Sequence, residues 1–221
     1  MRTDLQVLYR AIQQFIIYSL AVAIAIGMMF MDATFIGCKL EELSFVEITQ
    51  EIILLFVVIL FLRLAYKNLA IRNSSILIAG FFACMFFREL DSVLDLITHG
   101  FWVYPALLVT AICLFYTSRD IKKTLNQLAN FVRSPNYGFM ISGLICTLVL
   151  SRLFGMKYLW FTFHPEQSRH LMYNIKAFVE EGTELFGYAL CTIASLCYYS
   201  EVKGQYNTEQ QKIEDQLVKS R

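Results

Sequence analysis

Five ionisable residues fall within one otherwise apolar stretch, FFRELDSVLDLITHGFW (86–102): Arg88, Glu89, Asp91, Asp95 and His99. On a continuous helix Arg88, Asp91 and Asp95 stand at i, i+3 and i+7, and His99 extends that stripe by a turn. One arginine cannot neutralise three carboxylates, so the stretch requires further cations, bound protons or a bound metal. D-x3-D-x3-H on one face offers the residue types of a divalent-metal site that activates water. The same carboxylates beside a titrating histidine suit proton or cation exchange. The plainest chemistry open to them is ion pairing between helices.

Two other segments carry matching charges. FVEEGTELFGY (178–188) places Glu180 and Glu184 on one helical face at i, i+4, with Glu181 alongside, and SRLFG (151–155) brings Arg152. The intervening stretch, MKYLWFTFHPEQSRHLMYN, is aromatic-rich and holds His164, His170, Arg169 and Lys176. The expected polar cluster is therefore Arg88, Glu89, Asp91, Asp95, His99, Arg152, Glu180, Glu181 and Glu184. The candidate metal ligands are Asp91, Asp95, His99, Glu180, Glu184, His164 and His170, and a divalent metal is the one cofactor these residues suggest. No catalytic residue is assigned: the chain has no HExxH, P-loop, Rossmann glycine motif, GxSxG or CxxC.

The elements that must carry these residues are membrane-like. Apolar residues make up 57% of the 221 and charged residues 17%, against about a quarter charged in an average soluble domain. Apolar stretches recur near 12–31, 46–66, 75–98, 101–118, 137–155 and 175–199, each long enough to cross a bilayer core as a helix. Backbone groups in lipid must be satisfied within their own segment, which leaves the helix as the form for runs such as EIILLFVVILFL. The expected fold is all-α: a polytopic membrane bundle of six transmembrane helices over 1–200. RDIKKTLNQLANFV (119–132) is expected as a cytoplasmic interfacial helix, because Ile121, Leu125, Leu128 and Val132 share a face. Residues 201–221 are expected as a polar cytoplasmic tail.

Orientation follows from the basic residues. With the N-terminus inside, the cytoplasmic segments hold Arg2, Arg10, Arg63, Lys67, Arg72, Arg119, Lys122, Lys123, Arg133, Lys203, Lys212, Lys219 and Arg221, thirteen of the nineteen. The positive-inside rule then puts both termini in the cytoplasm, and a first span longer than a signal core fits a bacterial inner (plasma) membrane. In that topology 91–99, Arg152 and 180–184 all lie toward the outer face. A charge at mid-bilayer costs roughly 2.5–3.5 kcal/mol, so these groups are expected to shield one another from lipid. The expected partners are the bilayer and either a second copy of the chain or a membrane partner subunit. The basic residues are accounted for by orientation, and no nucleic-acid footprint is expected. Three functions fit. The first is a membrane scaffold or partner subunit locked by the network. The second is a cation- or proton-linked transporter or sensor, and the third a metal-dependent membrane-embedded hydrolase.

Overall fold

The computed structural model describes residues 2–32, 34, 44–163 and 169–219. Every described element is helical: α1 (Arg2–Met31), α2 (Phe45–Lys67), α3 (Arg72–Glu89), α4 (Asp91–Leu94), α5 (Val103–Ser118), α6 (Ile121–Arg133), α7 (Tyr137–Ile145), a π-helical turn (Cys146–Leu150), α8 (Ser151–Phe154), α9 (Lys157–Phe163) and α10 (Arg169–Lys219). Three helical segments are long and apolar enough to cross a membrane: Asp4–Met31, Phe45–Lys67 and Tyr137–Phe154, with mean hydropathies of 2.0, 2.4 and 1.6. A fourth apolar helix, Val103–Ser118, is shorter.

The core sits where α2, α3 and α10 meet. α2 turns one stripe inward, Gln50, Leu54, Val57, Phe61 and Leu64, spaced by threes and fours, and all are buried. Leu54, Val57, Phe61 and Leu64 pack with Ala79, Phe82 and Met85 of α3 and with Tyr188, Cys191, Ala194, Tyr198 and Val202 of α10. α2 starts where it does because Ser44 caps it, accepting from the Glu47 N–H at 3.0 Å. Asp32, at the end of α1, accepts from the N–H groups of Phe45 and Val46 at 2.7 and 2.9 Å. Of the apolar residues of α1, by contrast, Ala25 is the buried one, while Phe15 and Phe30 are 72% and 69% exposed.

α3 has no side-chain cap of its own at Ile71. Gln127 of α6 supplies one from across the fold, its Oε1 accepting from the Ser74 N–H at 3.1 Å, and Asn73 Nδ2 donates to Thr124 Oγ1 at 2.9 Å. Gln127→Ala should therefore cost about 1–2 kcal/mol, the value of a lost cap on a buried N–H. Exposed Asn126→Ala should change stability by less than about 0.5 kcal/mol. Chemical unfolding in detergent, followed by helical circular dichroism, checks both.

One expectation is corrected here. The expected third span, 75–98, does not run as one helix: α3 stops at Glu89 and the chain turns at Leu90. Leu90, with φ −78° and ψ 12°, leaves the helical conformation, and a short separate turn, α4, restarts at Asp91. The polar tail is helical as far as Lys219. Ser134 Oγ and Asn136 Nδ2 each donate to Glu201 at 2.8 Å, and buried Val202 carries the helix past residue 200. Beyond it, 205–219 contains no proline and is rich in Gln, Glu and Lys, good helix formers.

Candidate functional site

Lys176, Glu180, Glu184 and Tyr188 succeed one another at i, i+4 along α10, forming a single polar ridge. Two helix ends meet this ridge. α3 contributes Arg88 and Glu89 from its last turn, and α8 contributes Ser151 and Arg152. The π-helical turn just before α8 inserts extra backbone into what would otherwise be a regular helix from Tyr137 to Phe154. Each inserted residue rotates the remainder of the helix by about 100°, and this is the local feature that sets where Ser151 and Arg152 face.

The contacts form a chain. Lys176 Nζ pairs with Glu180 Oε2 at 2.7 Å, and Arg152 Nη1 reaches Glu180 Oε1 at 3.5 Å. Arg152 Nη2 also pairs with Glu184 Oε1, to which Ser151 Oγ donates at 3.1 Å. Arg88 Nη2 lies 3.7 Å from the other carboxylate oxygen of Glu184 and pairs with Glu89. The Tyr188 hydroxyl donates to Glu89 and lies 3.4 Å from Arg88 Nη2. Glu184 is thus held between two guanidiniums and is 2% exposed. Glu180 lies against Gly155, where an added Cβ would push its carboxylate aside. Glu181 faces α2, and the Gln50 amide donates to its Oε2 at 3.1 Å and to its backbone carbonyl at 3.3 Å.

Of the residues expected from sequence, Arg88, Glu89, Arg152, Glu180 and Glu184 come together, with Glu181 beside them. Asp91, Asp95 and His99 do not join them. Asp91 opens α4 on the far side of the break at Leu90 and is exposed. Asp95 closes a local turn: Oδ1 accepts from the Gly100 N–H at 2.8 Å, and Oδ2 meets His99 Nδ1 at 2.7 Å. Gly100 has φ +78°, a left-handed conformation that glycine adopts without strain. Beyond the end of α3, the Gly100 N–H, followed by the His99 ring, holds the Asp95 carboxyl below the usual aspartate range. The His99 side chain is 99% exposed.

Asp91, Asp95 and His99 thus stand apart from Glu180 and Glu184, and among the described residues no group of three or more His, Cys, Asp or Glu is arranged to hold a metal ion. His164 lies outside the described residues, as does the side chain of His170. Lys176, noted in the sequence only as a nearby cation, belongs to the site, as do Tyr188, Ser151 and Gln50, which the sequence does not single out. Extending the Glu180–Glu184 spacing one step in each direction finds Lys176 and Tyr188, and Gln50 is the polar member of the buried α2 stripe. Ser151 carries no signal beyond its place next to Arg152.

A separate cavity of about 730 Å³ lies between α1 and the bundle, lined by Tyr18, Ile24, Ile53, Phe139, Ile193 and Cys197 among others. The Tyr18 hydroxyl and Cys197 Sγ, 2.9 Å apart, form a polar contact across it. It shares no lining residue with the charged chain. No protein-family model, no curated protein and no solved structure matches the sequence.

Proposed function

We propose that the chain is an integral membrane protein of six spans, both termini cytoplasmic, residing in a bacterial inner membrane as a scaffold or partner subunit. The extracytoplasmic half of its bundle is locked by the charged network. The observation that carries this reading is the pairing of Glu184 with both Arg88 and Arg152 at a nearly inaccessible position. Carboxylates held in this way are bound up with arginines and serve to join α3, α8 and α10. The bare apolar faces of α1 support a role in which lipid or another membrane subunit supplies the missing contacts.

The test is a pair replacement. Glu184→Leu alone should sharply lower the folded yield, because it leaves Arg152 and Arg88 short of a counter-charge. Arg152→Met with Glu184→Leu keeps Arg88 with Glu89 and Lys176 with Glu180, and should restore most of that yield and the native oligomeric profile on size exclusion. A double variant that assembles normally but abolishes a pH-dependent ion flux shown by the wild type in proteoliposomes would refute the scaffold reading. It would favour a second reading, cation- or proton-linked transport or sensing. That second reading draws its support from Glu181, whose carboxylate meets the neutral Gln50 amide and forms no ion pair among the described residues.

A further inference from the structure

α6 packs with the wrong face for a water-soluble helix. Successive residues turn by about 100°, so α6 has three distinct sides. Thr124, Gln127 and Phe131 form the side against the bundle and are 5%, 4% and 7% exposed. Ile121, Leu125, Leu128 and Val132 form a second side about a quarter turn away, and Ile121, Leu125 and Val132 are 60%, 62% and 50% exposed. Lys122, Asn126, Asn130 and Arg133 form the third, and all four are exposed. Polar groups of α6 hydrogen-bond to α3 while the aliphatic stripe is left bare beside the bundle. A helix with a bundle side, an apolar side and a charged side is shaped to lie along a membrane surface beside the spans that precede it.

The charge on and around α6 selects the kind of surface. Arg119, Lys122, Lys123 and Arg133 lie within one short segment whose one acid is Asp120. Asp120 is occupied as the N-cap of α6, its carboxylate accepting from the Lys123 N–H at 3.1 Å. Among the described residues none of the four cations pairs with a carboxylate. Lys122 and Arg133 flank the aliphatic stripe, where a long side chain can lie along apolar surface while its charged end reaches phosphate level. We propose that α6 is an anionic-lipid-binding foot. Its Ile121–Leu125–Leu128–Val132 stripe enters the headgroup–acyl boundary, and Lys122 and Arg133 hold acidic phospholipid headgroups. The proposal rests on the membrane reading of the chain and adds to it a lipid class and the residues that recognise it.

Tryptophan probes in the full-length protein test it. Leu125→Trp reports on α6, Leu55→Trp on the apolar surface of α2, and the wild-type signal from Trp102 and Trp160 is subtracted. The protein is reconstituted in phosphatidylcholine vesicles, with or without phosphatidylglycerol. Quenching by brominated acyl chains is then compared with quenching by aqueous iodide. The α6 probe should be quenched by brominated lipid and protected from iodide, with brominated phosphatidylglycerol preferred over brominated phosphatidylcholine. Lys122→Gln and Arg133→Gln should each lower that preference by roughly fivefold. Equal quenching by the two lipids would overturn the headgroup assignment, and a probe shielded from both quenchers, buried under a second protein surface, would overturn the proposal. A probe open to iodide while the α2 probe is lipid-quenched would also overturn it and leave the membrane reading standing. If both probes report water, the membrane reading itself fails.

Discussion

Arg88→Met is expected to destabilise the bundle by about 3–5 kcal/mol, the range for removing one partner from a buried ion pair. The protein would lose more than a single contact. Arg88, Arg152 and Lys176 together balance Glu89, Glu180 and Glu184, three cations to three carboxylates. Without Arg88, Glu89 keeps the Tyr188 hydroxyl and no cation within the network, and Glu184 depends on Arg152 and Ser151. Adding Glu89→Gln restores the balance at two to two, so Arg88→Met with Glu89→Gln should recover more than half of the loss. The coupling between the two sites, read from a double-mutant cycle of unfolding in detergent, should exceed about 1.5 kcal/mol. An Arg88→Met cost below about 1 kcal/mol would place the pair with solvent-exposed surface bridges, and the network would not be a lock.

How much of the molecule is legible in its sequence depends on how far each inference reaches along the chain. The Glu180–Glu184 pair and Arg152 are legible because their expense in lipid requires partners, and the required partners are one another. The i, i+3, i+7 stripe of Arg88, Asp91, Asp95 and His99 misleads because it assumes an unbroken helix. No glycine or proline marks the break at Leu90, so no local pattern announces it. The π-helical turn at 146–150 is equally silent, since CTLVL is as apolar and as helix-compatible as its neighbours. Gln127 reads as one polar residue of an amphipathic helix, and its role as the cap of α3 depends on a tertiary contact that no local pattern encodes. The apolar stripe of α6 is visible in the sequence, but not that the helix turns a different side toward the bundle.

Gly187→Val should be among the most damaging single changes, because it strikes backbone. α7 and α10 cross with two glycines facing each other. A Cβ on Gly187 would sit 2.7 Å from the Gly143 carbonyl oxygen and 3.0 Å from the Thr147 nitrogen, and one on Gly143 would sit 2.6 Å from the Gly187 carbonyl oxygen. These atoms cannot rotate aside as a flexible side chain would, so the helices must separate. Even Gly187→Ala, which gains about 1 kcal/mol of helix propensity, should lose on balance, since overpacking typically costs about 1–3 kcal/mol. Valine adds two methyl groups at the same point and should bring the net loss to about 3 kcal/mol or more. The crossing also fixes the approach of Arg152 and Ser151 to Glu184 one turn away, so separation loosens the lock along with the packing. Gly27→Ala is the control with opposite sign: nothing lies within 4 Å of its Cβ position, so the propensity gain of up to about 1 kcal/mol should appear undiminished. Unfolding midpoints for the three variants, ordered Gly27→Ala above wild type, Gly187→Ala below it and Gly187→Val lowest, would establish backbone contact as what sets the distance between α7 and α10. A Gly187→Val variant as stable as wild type would mean that the two helices do not meet there.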